Sequence, residues 1–222
     1  MGLSKLFENN WVVTLTATLI GVFAALYLNE WMSGKKQRDQ KEIATQNVLS
    51  EISSNHEKLS VAAERHRDMV GILNFLNDHS DDESSLVASP DSMQVFQQKF
   101  PGTIMVEDST LVSEGMYRYS ADVNLGFSLP QHEISTIAWR TLKSSGIGPD
   151  FEFECLMFLE GLYNLTDEVI GQNKVFLEYM TGDRDMGDKA INLLKHLRLL
   201  VEYEVTLSEM LEAGKVQIGK CG

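Results

Sequence analysis

Residues 11–28 read Trp-Val-Val-Thr-Leu-Thr-Ala-Thr-Leu-Ile-Gly-Val-Phe-Ala-Ala-Leu-Tyr-Leu and contain no charged side chain. As a helix rising ~1.5 Å per residue the run is about 27 Å long, which just covers a bilayer core. Trp11 stands at one end, and Tyr27 with Trp31 at the other, where amphipathic rings favour the membrane–water boundary. Thr14, Thr16 and Thr18 can return their hydroxyls to carbonyls one turn back, so they cost little in lipid. A cleaved signal peptide fits poorly, because Glu8 accompanies Lys5 and the run ends in Leu28-Asn29-Glu30-Trp31 without a small-residue cleavage site. Later apolar stretches are broken by charge, as Lys195, His196 and Arg198 break 191–201. The expectation is a short tail (1–10), one transmembrane helix (11–32) and a single-pass protein.

Beyond Trp31 no proline intervenes before Pro90. A stalk helix is expected over 33–79, with Gly34 as a place to bend. Val48, Ile52, Asn55, Leu59, Ala62, His66, Met69, Leu73 and Leu76 recur at alternating spacings of four and three, a heptad seam. Glu51, Glu57, Lys58, Glu64, Arg65 and Arg67 read as its solvated face. Residues 80–130 are expected to hold a loop, a short helix and an irregular segment. Ser89, Pro90 and Asp91 suit a helix start, and Pro101-Gly102 a stop. Residues 103–106, 117–119 and 123–127 could be short strands but could equally be irregular cover or helical turns, and a small hairpin is the lesser expectation. Residues 131–214 are expected to form helices over Gln131–Ser145, from Asp150 toward Met180, and over Asp188–Ala213. The second of these carries a stripe of Phe153, Leu156, Met157, Tyr163, Ile170, Phe176 and Met180. Gly182–Gly187 is the turn, Gly214 the closing cap, and 215–222 a tail. Short connections between long amphipathic helices imply an antiparallel bundle. The fold class is therefore mainly α: a transmembrane helix continuing into a stalk and a helical bundle.

The chain carries 19 Lys plus Arg against 32 Asp plus Glu, a net charge of −13, so its field repels nucleic acid. The five histidines fall at no helical metal-binding spacing, and no cofactor is implied. His66-Arg67-Asp68 spells a kinase triplet, but it lies mid-helix with Leu73 where an Asn is required. The segment 183–188 resembles a calcium loop with its glycine misplaced and Leu194 in place of the bidentate Glu. Cys155 and Cys221 exclude a disulfide-rich scaffold; Cys155, among apolar residues, reads as a buried structural thiol. No phosphate-binding or nucleophile-elbow motif occurs, so no catalytic residues are assigned and no enzyme is expected.

Two local features remain. Thr141, Ser144 and Ser145 end a helix before Gly146, and Asp150 opens the next. The expectation is a tight corner in which small polar side chains satisfy loose backbone groups. An anion or ligand site at the following helix start is the alternative, and Asp150 counts against an anion. Within the span, Ala17, Gly21 and Ala25 repeat every four residues, a face suited to close helix pairing in lipid. The stalk seam Ile52, Asn55, Leu59, Ala62, His66 and Met69 would extend such a homo-oligomer, or would pack on the chain's own last helix. Flanking charge sets Lys5 against Lys35, Lys36, Arg38 and Lys41, which favours a cytoplasmic C-terminal domain, and two free cysteines suit that compartment.

The order Leu26-Tyr27-Leu28-Asn29-Glu30-Trp31, Glu51-Ile52 and Asn55, Ala138–Gly146, and Leu162-Tyr163-Asn164-Leu165 resembles an uncharacterised family of bacterial single-pass membrane proteins. The family's shared features are an Asn-x-Trp motif ending the span, a helical stalk and a Thr-Leu-x-Ser-Ser-Gly-like segment. The resemblance weakens between Asp81 and Pro130. It implies a bacterial inner-membrane location and supplies no activity. The expected role is a membrane-anchored scaffold or regulatory interaction protein with the bilayer and an unidentified protein as partners. The alternative is a sensor with a ligand pocket in its bundle.

Overall fold

The computed structural model describes residues 10–81, 85–124, 134–181 and 186–221. Helix α1 runs unbroken over Asn10–His79, 70 residues or about 105 Å. Gly34 produces no break; its carbonyl accepts a hydrogen bond from Arg38 Nε at 3.3 Å. The apolar end of α1 is the one helical stretch long and apolar enough to cross a membrane among the described residues, and none of it is buried. Burial begins at Thr45 and continues along Val48, Ile52, Asn55, Leu59, Ala62 and His66. The stalk is thus a full member of the bundle.

Its partners are α4 (Phe153–Thr181) and α5 (Met186–Ile218). Both repeat the four–three spacing of α1. In α4 the buried seam runs along Cys155, Leu159, Leu162, Thr166, Val169 and Phe176, with Tyr163 buried beside it. In α5 it runs along Leu193, Leu197, Leu200, Glu204, Leu207, Leu211 and Ile218, with Leu194 and Gly214 buried beside it. Three such seams closing on one another give a coiled-coil-like core. The stripe expected on α4 is partly misplaced, since Phe153 is 75% and Met157 58% exposed. Helix α5 lies antiparallel to α1: His66 meets Glu204, and Arg198 Nη2 donates to Asn74 Oδ1 at 2.6 Å.

Three helix boundaries differ from expectation. Gly214 does not close α5, which continues to Ile218. A Cβ at Gly214 would stand 3.3 Å from Phe158 Cε1 and 3.6 Å from Ile52 Cδ1, so the glycine lets three helices approach. Helix α3 covers Ile137–Ser144, short of the expected 131–145: residues 134–136 are not helical where they meet α1, and 131–133 lie outside the described residues. Asp150 is no N-cap: it lies in a 3-10 turn, Gly148–Asp150, where Pro149 sets the backbone. Phe151 follows in extended conformation with its ring buried, and α4 begins at Phe153. The expected 182–187 turn and the calcium-like segment fall largely outside the described residues.

Residues 86–123 correct the reading of an irregular segment. They form β1 (Leu86–Ala88), α2 (Pro90–Lys99), β2 (Ile104–Ser113) and β3 (Met116–Val123). The sheet is antiparallel with order β1-β3-β2. Ser89 caps α2 as expected, its hydroxyl accepting from Ser92 N at 3.1 Å. A second core joins Leu86, Ala88, Met93, Phe96, Phe100, Ile104 and Tyr119 to Ile72, Phe75 and Leu76 of α1. This head therefore sits about 70 Å along the helix from Trp31.

Candidate functional site

Glu51, read as solvated in sequence, is buried where α1, α3 and α4 meet. Its Oε1 accepts from the Tyr163 hydroxyl at 2.7 Å. Its Oε2 accepts from Ser135 Oγ at 2.6 Å and from the Ala138 backbone N–H at 2.9 Å. The last bond places a carboxylate at the start of α3, where free N–H groups and the helix dipole favour negative charge. One turn on, Asn55 holds both backbone groups of Ser135: Nδ2 donates to its carbonyl at 2.7 Å, and Oδ1 accepts its N–H at 2.9 Å. This double clasp explains why 134–136 are not helical. Burial, then the hydrogen bond to Glu51 and its charge, raise the Tyr163 hydroxyl above the ordinary tyrosine range. The Tyr163 ring stacks on Trp139 at 5.4 Å.

The corner beyond α3 is closed by its own small side chains. Ser144 Oγ donates to the Thr141 carbonyl at 3.1 Å and Ser145 Oγ to the Leu142 carbonyl at 2.8 Å. Gly146 then turns the chain at φ +74°, a conformation that favours glycine. Beside the corner runs a groove of about 510 Å³, within the range of small-molecule sites. Ile43, Ala44, Ile137, Leu142 and Ile147 line it with Asn47, Ser50, Thr141 and Ser145, and Glu51 forms part of its wall. Asp150 is not in that lining.

The seam residues face inward. Ile52, Asn55, Leu59, Ala62 and His66 are buried and Met69 packs at the core's margin. His66 Nδ1 lies 2.9 and 3.0 Å from the Glu204 oxygens, and its ring meets Phe176 edge-on. Ala17, Gly21 and Ala25 are exposed on one face of α1, with open space around Gly21.

The other described histidines have local partners. His56 Nδ1 lies 3.1 Å from Lys215 Nζ, His79 Nδ1 lies 2.9 Å from the Phe75 carbonyl, and His196 stacks on Tyr179. His132 lies outside the described residues. Among the described residues no three His, Cys, Asp or Glu side chains gather as a metal site.

Cys155 and Cys221 are not free. They form a disulfide, Cα–Cα 6.2 Å, that ties the start of α4 to the end of α5. Ile218 and Cys221, expected in a tail over 215–222, are thereby part of the core. Sequence reading missed Glu51, Tyr163, Glu204 and this pairing. Glu51 and Asn55 at i and i+4 carried a usable signal, and so did Glu204 at a seam position of α5.

The chain matches no family model, no curated protein and no solved structure.

Proposed function

We propose that this is a single-pass membrane protein that presents a helical interaction module, a scaffold or regulator of another protein. The observation that carries the reading is the contrast along α1. Leu15, Ile20, Val22, Phe23, Leu26, Leu28 and Met32, which together point to all sides of the helix, are exposed, while the seam residues from Val48 to His66 are buried in the bundle. A contiguous apolar sleeve of that kind is unfavourable in water and favourable in lipid. The resemblance to bacterial single-pass proteins points the same way.

Two features argue about the side of the membrane. The basic residues after the span favour the cytoplasm. The Cys155–Cys221 disulfide favours an oxidising compartment. Flanking charge only biases insertion, whereas disulfides form chiefly in oxidising compartments and are rare in reducing ones. The module is therefore assigned to the oxidising side. Full-length protein should resist carbonate extraction, and a C-terminal alkaline phosphatase fusion should be active where a fluorescent-protein fusion is dark. A soluble full-length product sinks the anchor; a bright fluorescent fusion reverses the side.

Self-association rests on the Ala17-Gly21-Ala25 face, because the chain's own helices occupy the seam. Gly21→Ile should reduce cross-linking in membranes and Val22→Ile should not.

The groove beside Glu51 supports a second reading, a sensor for a small amphipathic ligand. A Leu142→Trp substitution that fills the groove should then abolish ligand-induced thermal shifts seen in the wild type. Shifts unchanged by that substitution count against this reading.

A further inference from the structure

We propose that the outer edge of β2 is a docking strand for an extended segment of a partner protein that carries basic residues between apolar ones. The inference rests on the interaction-module reading and names the surface and the chemistry of what it takes.

In the order β1-β3-β2, strand β2 pairs on one side only among the described residues. About half of its backbone N–H and C=O groups therefore point outward, a template for another strand. Of its ten residues only Ile104 is buried. Met105, Val106, Leu111 and Val112 are between 39% and 65% exposed. β1 covers just Tyr117, Arg118 and Tyr119 of β3, so the β2–β3 hairpin overhangs the head.

An edge that only needed blunting would carry polar residues and few apolar ones. Here four apolar side chains flank an acidic centre, Glu107-Asp108, with Glu114 and Asp122 nearby. Arg118, the sole basic residue of 104–123, is 3.0 Å from Asp81 in an ion pair. Two copies of β2 paired about their middle would bring Glu107 and Asp108 close to their counterparts, which disfavours self-pairing. Irregularities between Val106 and Asp108, and between Leu111 and Ser113, further break the register of a self-copy. A strand with lysine or arginine at its centre and apolar residues on either side satisfies the open backbone, the charge and the flanks together.

The test uses full-length protein in nanodiscs and a fluorescent Val/Thr peptide with a central Lys-Lys pair. Saturable binding is expected, at least about tenfold tighter than to the Glu-Glu counterpart. The double variant Glu107→Lys, Asp108→Lys should invert that preference, with helical content unchanged by circular dichroism. N-methylation of alternate peptide amides should abolish binding on one of the two peptide edges. Equal binding of both peptides, an uninverted preference or tolerance of N-methylation on both edges overturns the docking strand. So does a concentration-dependent dimer that Leu111→Lys abolishes, which would assign the edge to a second copy. Photo-cross-linkers placed in membranes at Leu111 and at Ile137 separate the two levels. A partner captured at Ile137 alone overturns the strand and leaves the interaction module standing; capture at neither overturns both.

Discussion

His66 Nδ1 and the Glu204 carboxylate meet in the centre of the bundle, 2.9 and 3.0 Å apart, with side chains 1% and 0% exposed. They occupy matching seam positions on antiparallel α1 and α5, where every neighbouring layer is aliphatic. A polar pair at such a place fixes register, because sliding either helix by one layer sets His66 against Leu200 or Leu207 and Glu204 against Ala62 or Met69.

Removing one partner should therefore hurt more than removing both. His66→Leu alone leaves a buried carboxylate without its imidazole and should cost about 3–5 kcal/mol. The pair His66→Leu, Glu204→Leu should recover most of that loss. Urea denaturation of full-length protein in micelles, followed by circular dichroism, measures both.

Tyr163 gives a pH signature. Its hydroxyl is raised in the folded protein, so its contribution to stability is fully present below the ordinary tyrosine value of 10.0 and is lost as pH rises through the folded value. Stability should fall above about pH 10, and Tyr163→Phe should flatten the slope there. At neutral pH the same change should cost about 1–3 kcal/mol for the lost bond to Glu51.

The disulfide closes the open end of the α4–α5 hairpin across a separation of 66 residues. Loop closure of that length stabilises by roughly 4 kcal/mol in the chain-entropy account. Cys155→Ser with Cys221→Ser should lower the melting temperature by several degrees. Protein trapped with a thiol-blocking reagent at lysis should gain label only after reduction; label without reduction would contradict the bond.

Glycines in the two long bundle helices should respond with opposite sign. Gly171 has open space where a Cβ would go, so Gly171→Ala should gain up to about 1 kcal/mol of helix propensity. Gly214→Val meets Phe158 and Ile52 and should cost about 1–3 kcal/mol. Thermal unfolding of the two variants side by side tests the assignment.

Much of this arrangement was legible in the chain. The α1 seam reads directly as alternating fours and threes because most of its positions are aliphatic. The same pattern in α4 and α5 was hidden by Thr166 and Glu204, polar residues whose burial depends on a partner far away in sequence. Phe153 and Met157 pulled part of the apolar stripe of α4 off the core, since large apolar residues on a surface look like core to a periodicity count. The hairpin was ambiguous because exposed Met105, Val106, Leu111 and Val112 share β2 with Glu107 and Asp108, giving no clean alternation. The i, i+4 spacing of Glu51 and Asn55 hinted at a shared polar face, but the partners that bury Glu51, Ser135 and Tyr163, come from distant parts of the chain, and the disulfide became visible only once α5 had turned back along α4.

Between Trp31 and Gln40 helix α1 has no buried residue; its first contacts with the bundle come at Lys41, whose Nζ lies 5.4 Å from the Phe151 ring centre, and at Ala44. Unwinding there exposes no core, so it is the least costly place for the chain to give way under load. Residues 32–39 span about 12 Å as a helix and up to about 28 Å when drawn out. The neck is thus an elastic element in series with a stiff rod. Pulled gently, the head keeps its distance and heading from the apolar end of α1; pulled harder, it is let out on a tether while its fold stays intact.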